Sequence, residues 1–91
     1  MVVVMVFELT DNKLILLDGE EEVGYILYDE HDTHYVVTYI YVKPEYRGQS
    51  LANKLVDEFV RIAKEKELKI VPICSVTNRL INRKYPEMIL D

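Results

Sequence analysis

Residues 34–52 read HYVVTYIYVKPEYRGQSLA, and the spacing of the apolar side chains changes within this stretch. His34–Val42 consists almost wholly of β-branched and aromatic residues and predicts the longest strand of the chain. Pro44 ends that pattern, and from about Gln49 to Lys66 the apolar residues recur at helical spacing. The stretch therefore predicts a strand, a loop and a long amphipathic helix in direct succession.

Both faces of the predicted strand are apolar. Alternate residues of a strand point to opposite faces of its sheet. The two sets are Tyr35, Val37, Tyr39 and Tyr41 on one face, and Val36, Thr38, Ile40 and Val42 on the other. Since neither set is polar, we expect this strand to be covered on both sides.

The predicted helix has one apolar and one charged side. Its apolar stripe contains Leu51, Leu55, Phe59 and Ile62. On the charged side, Asp57 and Arg61 are four residues apart, a spacing that predicts an ion pair across one helical turn.

Working outward, further strands and a second helix are predicted on either side of this unit. The predicted strands are Val2–Leu9, Lys13–Leu17, Glu22–Tyr28 and Lys69–Ile73, and a last helix spans about Val76–Lys84, before Pro86. A right-handed crossover would place the strand after the long helix parallel to His34–Val42. The prediction is an α+β domain in the order β-β-β-β-α-β-α, antiparallel except for a parallel pair between strands 4 and 5. The 91 residues are expected to form a single domain, 1–91.

The charge is divided unevenly along the chain. The net charge of −5 disfavours a nucleic-acid partner, which would need a basic face. Residues 1–45 carry ten acidic side chains against Lys13 and Lys43, a balance of −8, and residues 46–91 carry nine basic against six acidic side chains, a balance of +3. An anionic ligand is therefore expected to bind the C-terminal half. The alternative is that these are ordinary solvated faces.

The cysteine count and the apolar runs bear on the cellular setting. Cys74 is the only cysteine, and a single cysteine without a signal sequence fits a reducing, cytoplasmic environment. No apolar run approaches the roughly 20 residues needed to cross a bilayer, so no membrane partner is expected.

The loop between the long strand and the long helix predicts an anion site. Free backbone N–H groups at a helix N-terminus, together with the helix dipole, form a cradle for a pyrophosphate. Gly48 would let the backbone approach the phosphates, and Arg47 would add positive charge. A tight strand-to-helix turn with no ligand is the alternative.

This segment resembles the acetyl-CoA-binding motif of the GNAT superfamily of N-acetyltransferases, Arg/Gln-x-x-Gly-x-Gly/Ala after a strand. Arg47 and Ala52 occupy the outer motif positions, and Ser50 stands where glycine is usual. We expect Ser50 to enter the first helical turn without a positive φ. By resemblance, the pantetheine arm would pair with the edge of Ile40, Tyr41 and Val42, and the phosphate-binding amides would come from Gly48, Gln49, Ser50, Leu51 and Ala52.

The resemblance extends to a minimal, single-domain GNAT subfamily with a Pro-x-Cys sequence after the long helix, here Pro72-Ile-Cys74. Cys74 is suspected of a catalytic part in that subfamily, either as a transient acyl acceptor or as a group lining the site. The alternative is a small buried residue.

Asn78 and Tyr85 are seven residues apart, a spacing that larger GNAT enzymes also show. The resemblance makes Asn78 a cofactor-binding residue and Tyr85 the acid that protonates the departing CoA thiolate. The two side chains would share a face if the helix persists to Tyr85. Pro86 disfavours helical geometry there, so a capping aromatic is the alternative.

The resemblance implies acetyl-CoA as the acyl donor and an unidentified primary amine as the acceptor. A non-catalytic CoA-binding or protein-interaction module with the same fold is the main alternative, and a purely structural domain is a third. A partner protein or a second copy of the chain, as a homodimer, would supply a missing acceptor wall. His31 and His34 lie in a turn without a third ligand, so no metal site is expected.

Overall fold

A computed structural model describes residues 5–90. It contains five strands, two α-helices and two short 3-10 turns. The strands are β1 (Met5–Leu9), β2 (Lys13–Asp18), β3 (Glu21–Glu30), β4 (His34–Val42) and β5 (Lys69–Pro72); the helices are α1 (Leu51–Glu65) and α2 (Ser75–Lys84); and the 3-10 turns are Pro44–Tyr46 and Pro86–Met88.

The strands form one mixed sheet in the order β1-β2-β3-β4-β5. Neighbouring strands are antiparallel as far as β4, and β5 runs parallel to β4. The predicted α+β class, element order and parallel pair are therefore confirmed. Val2–Val4 of the predicted first strand lie outside the described residues. Within residues 5–90, neither α-helix combines the length and the apolarity that crossing a membrane requires.

The core lies between the sheet and the two helices. Leu55 and Phe59 of α1 and Leu80 and Ile81 of α2 belong to one buried cluster with the sheet residue Ile26. Because the helices share this cluster, both cover the same side of the sheet. The apolar stripe that predicted α1 is the face that packs there, and fully burying each large side chain of this kind stabilises the fold by about 1.5–3 kcal/mol.

A β-bulge in β4 changes which side chains face the core. Tyr28 pairs with Val37 and Leu27 pairs with Tyr39, so Thr38 has no partner in β3. The extra residue reverses the alternation, and Tyr39 lies on the opposite face from Val37. Val37 is fully buried, whereas Tyr39 is 48% exposed. The expectation that both faces of this strand are covered, with Tyr35 to Tyr41 on one side, is therefore wrong.

Gly24 allows α1 to lie close to β3 and β4. A Cβ atom at this position would be 2.9 Å from the carbonyl oxygen of Tyr41 and 3.2 Å from Cδ1 of Leu55. Any larger residue would push the helix away from the end of β4. The absence of a side chain thus sets the distance between the start of α1 and the strand end that the loop connects to it.

Candidate functional site

The parallel pair β4–β5 is short, and the two strands separate after Val37. The ladder runs only from His34 to Val37. Beyond it, the N–H groups of Ile73 and Cys74 both donate to the carbonyl oxygen of Val37, at 2.9 and 3.3 Å. On the β5 side, Thr38–Val42 then has no strand partner in the described part of the chain. A wedge with an unpaired strand edge opens between β4 and the start of α2.

Two adjoining cavities occupy this wedge and the loop beside it. The first has a volume of about 280 Å³ and is lined by Tyr39, Ile40, Tyr41, Val42, Arg47, Ala52 and Val76. The second has a volume of about 120 Å³ and is lined by Val42, Tyr46, Arg47, Gly48, Ser50, Leu51 and Ala52. Because they share Val42, Arg47 and Ala52, they form one groove from the strand edge to the N-terminus of α1. We call it the wedge groove.

Arg47 joins the loop to the end of β4. Its Nε donates to the carbonyl oxygen of Val42 at 2.9 Å, and its guanidinium carbon lies 5.9 Å from the ring centroid of Tyr41. Gly48 follows with φ +87°, and a Cβ atom there would meet nothing within 4 Å. The loop therefore turns at Gly48 into open space and carries its cation at the wall of the groove.

Ser50 has a left-handed backbone at the N-cap of α1, with φ 60° and ψ 28°. The expectation that this serine would not need a positive φ is wrong. A side chain at such a φ crowds its own backbone, which gives a physical reason for glycine at this motif position. The Ser50 side chain makes no capping hydrogen bond, so the first amides of α1 stay available to a ligand.

Gln49 lies on another side of the loop. Its side chain lines a separate cavity of about 420 Å³ with Met5, Phe7, Leu16 and Lys54. Gln49 does not line either cavity of the wedge groove. Of the five residues predicted to supply phosphate-binding amides, the other four all line the smaller cavity.

Cys74 is the N-cap residue of α2 and lies at the inner end of the wedge. Burial opposes ionisation of its thiol, but the amides of Thr77, Val76 and Ile40 outweigh it, so the pKa of Cys74 is below its usual range. The hydroxyl of Thr77 also lowers the pKa of Cys74, by more than the amides of Val76 and Ile40 do; this hydroxyl is buried and makes no hydrogen bond of standard geometry within the described residues. The structure thus brings together Cys74 and Ile40, which the sequence nominated separately.

Asn78 braces α2 against β5. Its Nδ2 donates to the carbonyl oxygen of Pro72 at 3.2 Å, and its Oδ1 accepts from Nδ2 of Asn82 at 2.8 Å. Asn78 does not line either cavity of the wedge groove, and both of its amide atoms are engaged within the protein. Its predicted contact with a cofactor stays a prediction.

Tyr85 lies at the far end of α2 from the groove. The helix ends at Lys84, as predicted, and Tyr85 has φ −139° and ψ 52°, so the condition under which Asn78 and Tyr85 would share a helical face is not met. The Tyr85 hydroxyl donates to Oδ1 of Asp57 at 2.7 Å. That hydrogen bond raises the pKa of Tyr85, and burial adds to the shift. Its role as general acid stays a prediction, and it would require the phenol to leave Asp57.

Asp57 makes different contacts from the one predicted from the sequence. It accepts hydrogen bonds from Tyr85 and from Nζ of Lys84, both at 2.7 Å. The predicted pair with Arg61 is wrong, because Arg61 bonds to Glu58 and Glu65 instead. Burial acts to raise the pKa of Asp57, but the Lys84 and Tyr85 hydrogen bonds lower it overall. Asp57 therefore ties the C-terminal end of α2 to α1.

His31, in the β3–β4 turn, stacks on His34, the first residue of β4, with ring centroids 4.9 Å apart. Across residues 5–90, there is no group of three or more His, Cys, Asp or Glu side chains that could hold a metal ion.

Comparison with known proteins identifies the family. The model of the GCN5-related N-acetyl-transferase family matches residues 7–90. The chain belongs to this family, the GNAT family. A search of curated proteins by sequence finds no match.

Two solved structures share the GNAT fold. A ribosomal-protein-alanine N-acetyltransferase from Brucella melitensis biovar Abortus 2308 matches with a TM-score of 0.62 and 21% identity over 79% of this chain. A GNAT-family protein from Bacteroides thetaiotaomicron matches with a TM-score of 0.52 and 19% identity over 82% of this chain. This chain spans 59% and 44% of their respective lengths. At these identities, the likeness shows the fold alone.

We predict that Ser50→Gly stabilises the protein. The left-handed backbone costs a residue with a side chain about 1–2 kcal/mol, and the greater freedom of glycine in the unfolded chain offsets part of the gain. Urea unfolding should show a net increase of about 0.5–1 kcal/mol in the free energy of unfolding. Ser50→Ala is the matched control, because it removes the hydroxyl and keeps the strain. A gain in Ser50→Ala equal to that of Ser50→Gly would show that the backbone is not the cause.

We predict that the Asp57 contribution to stability disappears in acid. Because folding lowers the pKa of Asp57, its contribution is complete above the unfolded value of about 3.9 and is lost as the pH falls through the lower folded value. The free energies of unfolding of the wild type and Asp57→Asn in urea should therefore differ at pH 6, and the difference should shrink progressively as the pH falls below about 4. The exposed Glu20→Gln serves as the control. A wild-type–Asp57→Asn difference that stays constant with pH would contradict the assignment.

Proposed function

We propose that this chain binds acetyl-CoA in the wedge groove and transfers the acetyl group to a primary amine. The observation that carries the proposal is the groove itself. It combines a helix N-terminus with free amides and an unpaired strand edge in one continuous cleft, and Cys74 lies beside this cleft at the start of α2. Family membership supports the reaction class, and the residues of the groove support the binding mode.

The phosphates of CoA would bind at the loop end of the groove. Gly48, Ser50 and Leu51 line the smaller cavity, and α1 directs its N-terminal dipole towards it. Arg47 adds a positive charge, and its half of the chain has a balance of +3. CoA carries several negative charges, so this end of the groove has the matching electrostatics.

The pantetheine arm would follow the unpaired edge of β4. Apart from the Val42 carbonyl, which accepts from Arg47, the backbone groups of Thr38–Val42 on the β5 side can pair with the amides of the arm, as with an added strand. Ala52 and Val76 provide an apolar wall for the methylene groups. This course brings the thioester to Ile40 and Cys74, where an amide N–H can polarise its carbonyl.

Acyl transfer needs a neutral amine. Its lone pair attacks the thioester carbonyl, the C–S bond breaks, the nitrogen loses a proton and the CoA thiolate gains one. Alternatively, the Cys74 thiol loses its proton and its sulfur attacks the thioester; the C–S bond to CoA breaks, and the CoA sulfur takes up that proton. The amine then attacks the acetyl-Cys74 thioester, its C–S bond breaks, and the proton lost by the nitrogen returns to the Cys74 sulfur. The lowered pKa of Cys74 favours its attack. The direct route needs a proton donor, the role predicted for Tyr85.

A non-catalytic CoA-binding module is the second candidate. Neither cavity of the wedge groove is lined by a carboxylate or a histidine, the side chains that most often act as a general base. The phenol of Tyr85 is also engaged by Asp57. Such a module would bind acetyl-CoA and release no CoA in the presence of amines.

Calorimetric titration with acetyl-CoA tests the binding site. Gly48 and Gly19 both have a positive φ and open space around a built Cβ, so glutamate at either position meets the same kind of strain. We expect Gly48→Glu to abolish binding, because its carboxylate would lie where the phosphates bind. Gly19→Glu, in the β2–β3 turn, should bind like the wild type. A wild type that fails to bind acetyl-CoA would refute the proposal.

Mass spectrometry and CoA release test the chemistry. If Cys74 is the acyl acceptor, incubation with acetyl-CoA adds one acetyl group to the wild type, and Cys74→Ala stays unmodified and inactive. If transfer is direct, Cys74→Ala retains activity and Tyr85→Phe loses it. If both variants bind acetyl-CoA and both keep their activity, neither Cys74 nor Tyr85 takes part in the reaction.

A further inference from the structure

The face of the sheet opposite the helices carries an aromatic surface. Tyr25 of β3 lies with its ring centroid 6.3 Å from that of Tyr39 and 5.5 Å from that of Tyr41. We call these three residues the tyrosine face. Both helices pack on the other side of the sheet, and within residues 5–90 no helix covers these rings.

Two cations from the described part of the chain already lie at this surface. The guanidinium carbon of Arg47 is 5.9 Å from the ring centroid of Tyr41. Nζ of Lys13 lies 4.4 Å from the ring centroid of Tyr25 and 3.3 Å from the carboxylate of Glu22. An ammonium group thus sits between a π surface and a carboxylate, an arrangement that is attractive on both sides. The ring of Tyr39 is 48% exposed, and no cation of the described residues stacks on it.

The charge balance favours a cationic ligand on the part of the chain that forms β1–β4. Residues 1–45 have a balance of −8, and both of their lysines are already paired, Lys13 with Glu22 and Lys43 with Glu21. The C-terminal half has a balance of +3. An anionic acyl donor and a cationic acceptor would therefore be drawn to different parts of the molecule.

The tyrosine face borders the wedge groove. Tyr39 and Tyr41 line the larger cavity together with Ile40, because the bulge at Thr38 turns both tyrosines away from the core. A ligand lying on these rings is thus close to the larger cavity and to Ile40, whose amide contacts the Cys74 thiol.

We propose that the tyrosine face docks the acceptor, and that the acceptor is a polypeptide segment with a lysine whose ammonium group stacks on Tyr39. A polypeptide is favoured over a small amine because the surface is open, whereas small-molecule sites are concave and enclose most of the ligand. The docked lysine anchors the segment. The docked lysine is a protonated ammonium group, and an amine must lose its proton before it attacks. The amine that reacts is therefore a second group of the same segment.

The acyl-transfer part of this inference rests on the proposed function, but the docking part does not. The test therefore omits acetyl-CoA. The ¹⁵N-labelled protein is titrated with the peptide acetyl-Gly-Lys-Gly-Lys-Gly-amide and followed by amide chemical shifts. The matched peptide has norleucine in place of both lysines, so it keeps the aliphatic chains and loses the charges.

We expect the lysine peptide to shift the amides of Tyr25, Tyr39 and Tyr41, and the norleucine peptide to leave them unchanged. Tyr39→Leu should weaken binding about fivefold, the ratio for an exposed cation–π contact of about 1 kcal/mol. Tyr39→Phe keeps the ring and should bind like the wild type. Since Tyr39 is half exposed, both variants should fold, and far-UV circular dichroism checks this.

Several outcomes would overturn the docking proposal. They are equal binding of the norleucine peptide, shifts confined to other surfaces, and unchanged affinity in Tyr39→Leu. Spermidine binding as tightly as the peptide would make the ligand a free polyamine. Concentration-dependent shifts of the same amides without peptide would make it a second copy of the chain. If the protein binds the peptide but does not bind acetyl-CoA, the docking proposal stands and only the proposed function is refuted.

Discussion

The separation of β4 and β5 at Val37 is the constraint on which the site depends. Two consecutive N–H groups, of Ile73 and Cys74, converge on the single carbonyl oxygen of Val37. Once the chain has made this contact, β5 cannot continue along β4, and Ser75 begins a helix. The edge of β4 beyond Val37 has no strand partner in the described residues, and backbone N–H and C=O groups need hydrogen-bond partners. A ligand with amide groups can therefore make hydrogen bonds in the groove that water would otherwise supply.

Much of the fold was predictable because it follows from local patterns. The change from strand to helical spacing around Pro44 placed β4 and α1 to within about two residues, and Asp18-Gly19 marked the β2–β3 turn. The bulge at Thr38 was not predictable in this way. It depends on how β4 registers against β3, and an uninterrupted run of β-branched and aromatic residues contains no local signal for an unpaired residue.

In the candidate site, too, the features with a local sequence motif were predictable and those that depend on tertiary contacts were not. The loop from Arg47 to Ala52 was nominated from its motif, and its glycine-like position was recognised at Ser50. The serine gave no indication that the chain keeps the left-handed backbone there, since that conformation is imposed by the start of α1. Asp57 had an equally plausible partner on its own helix, Arg61, and only tertiary packing shows that Lys84 and Tyr85, 27 and 28 residues away, bind it instead.

The contact between Asp57 and Tyr85 has a mechanical consequence. Both helices begin at the groove, where Ala52 and Val76 line one cavity, and they are tied together beyond it through Asp57. The carboxylate–phenol contact therefore holds the two helices in a fixed position relative to each other. Fixed helices keep the width of the groove constant, so little conformational freedom of the protein is lost when a ligand binds. Two side chains that line neither cavity of the groove can in this way influence how tightly a ligand binds there.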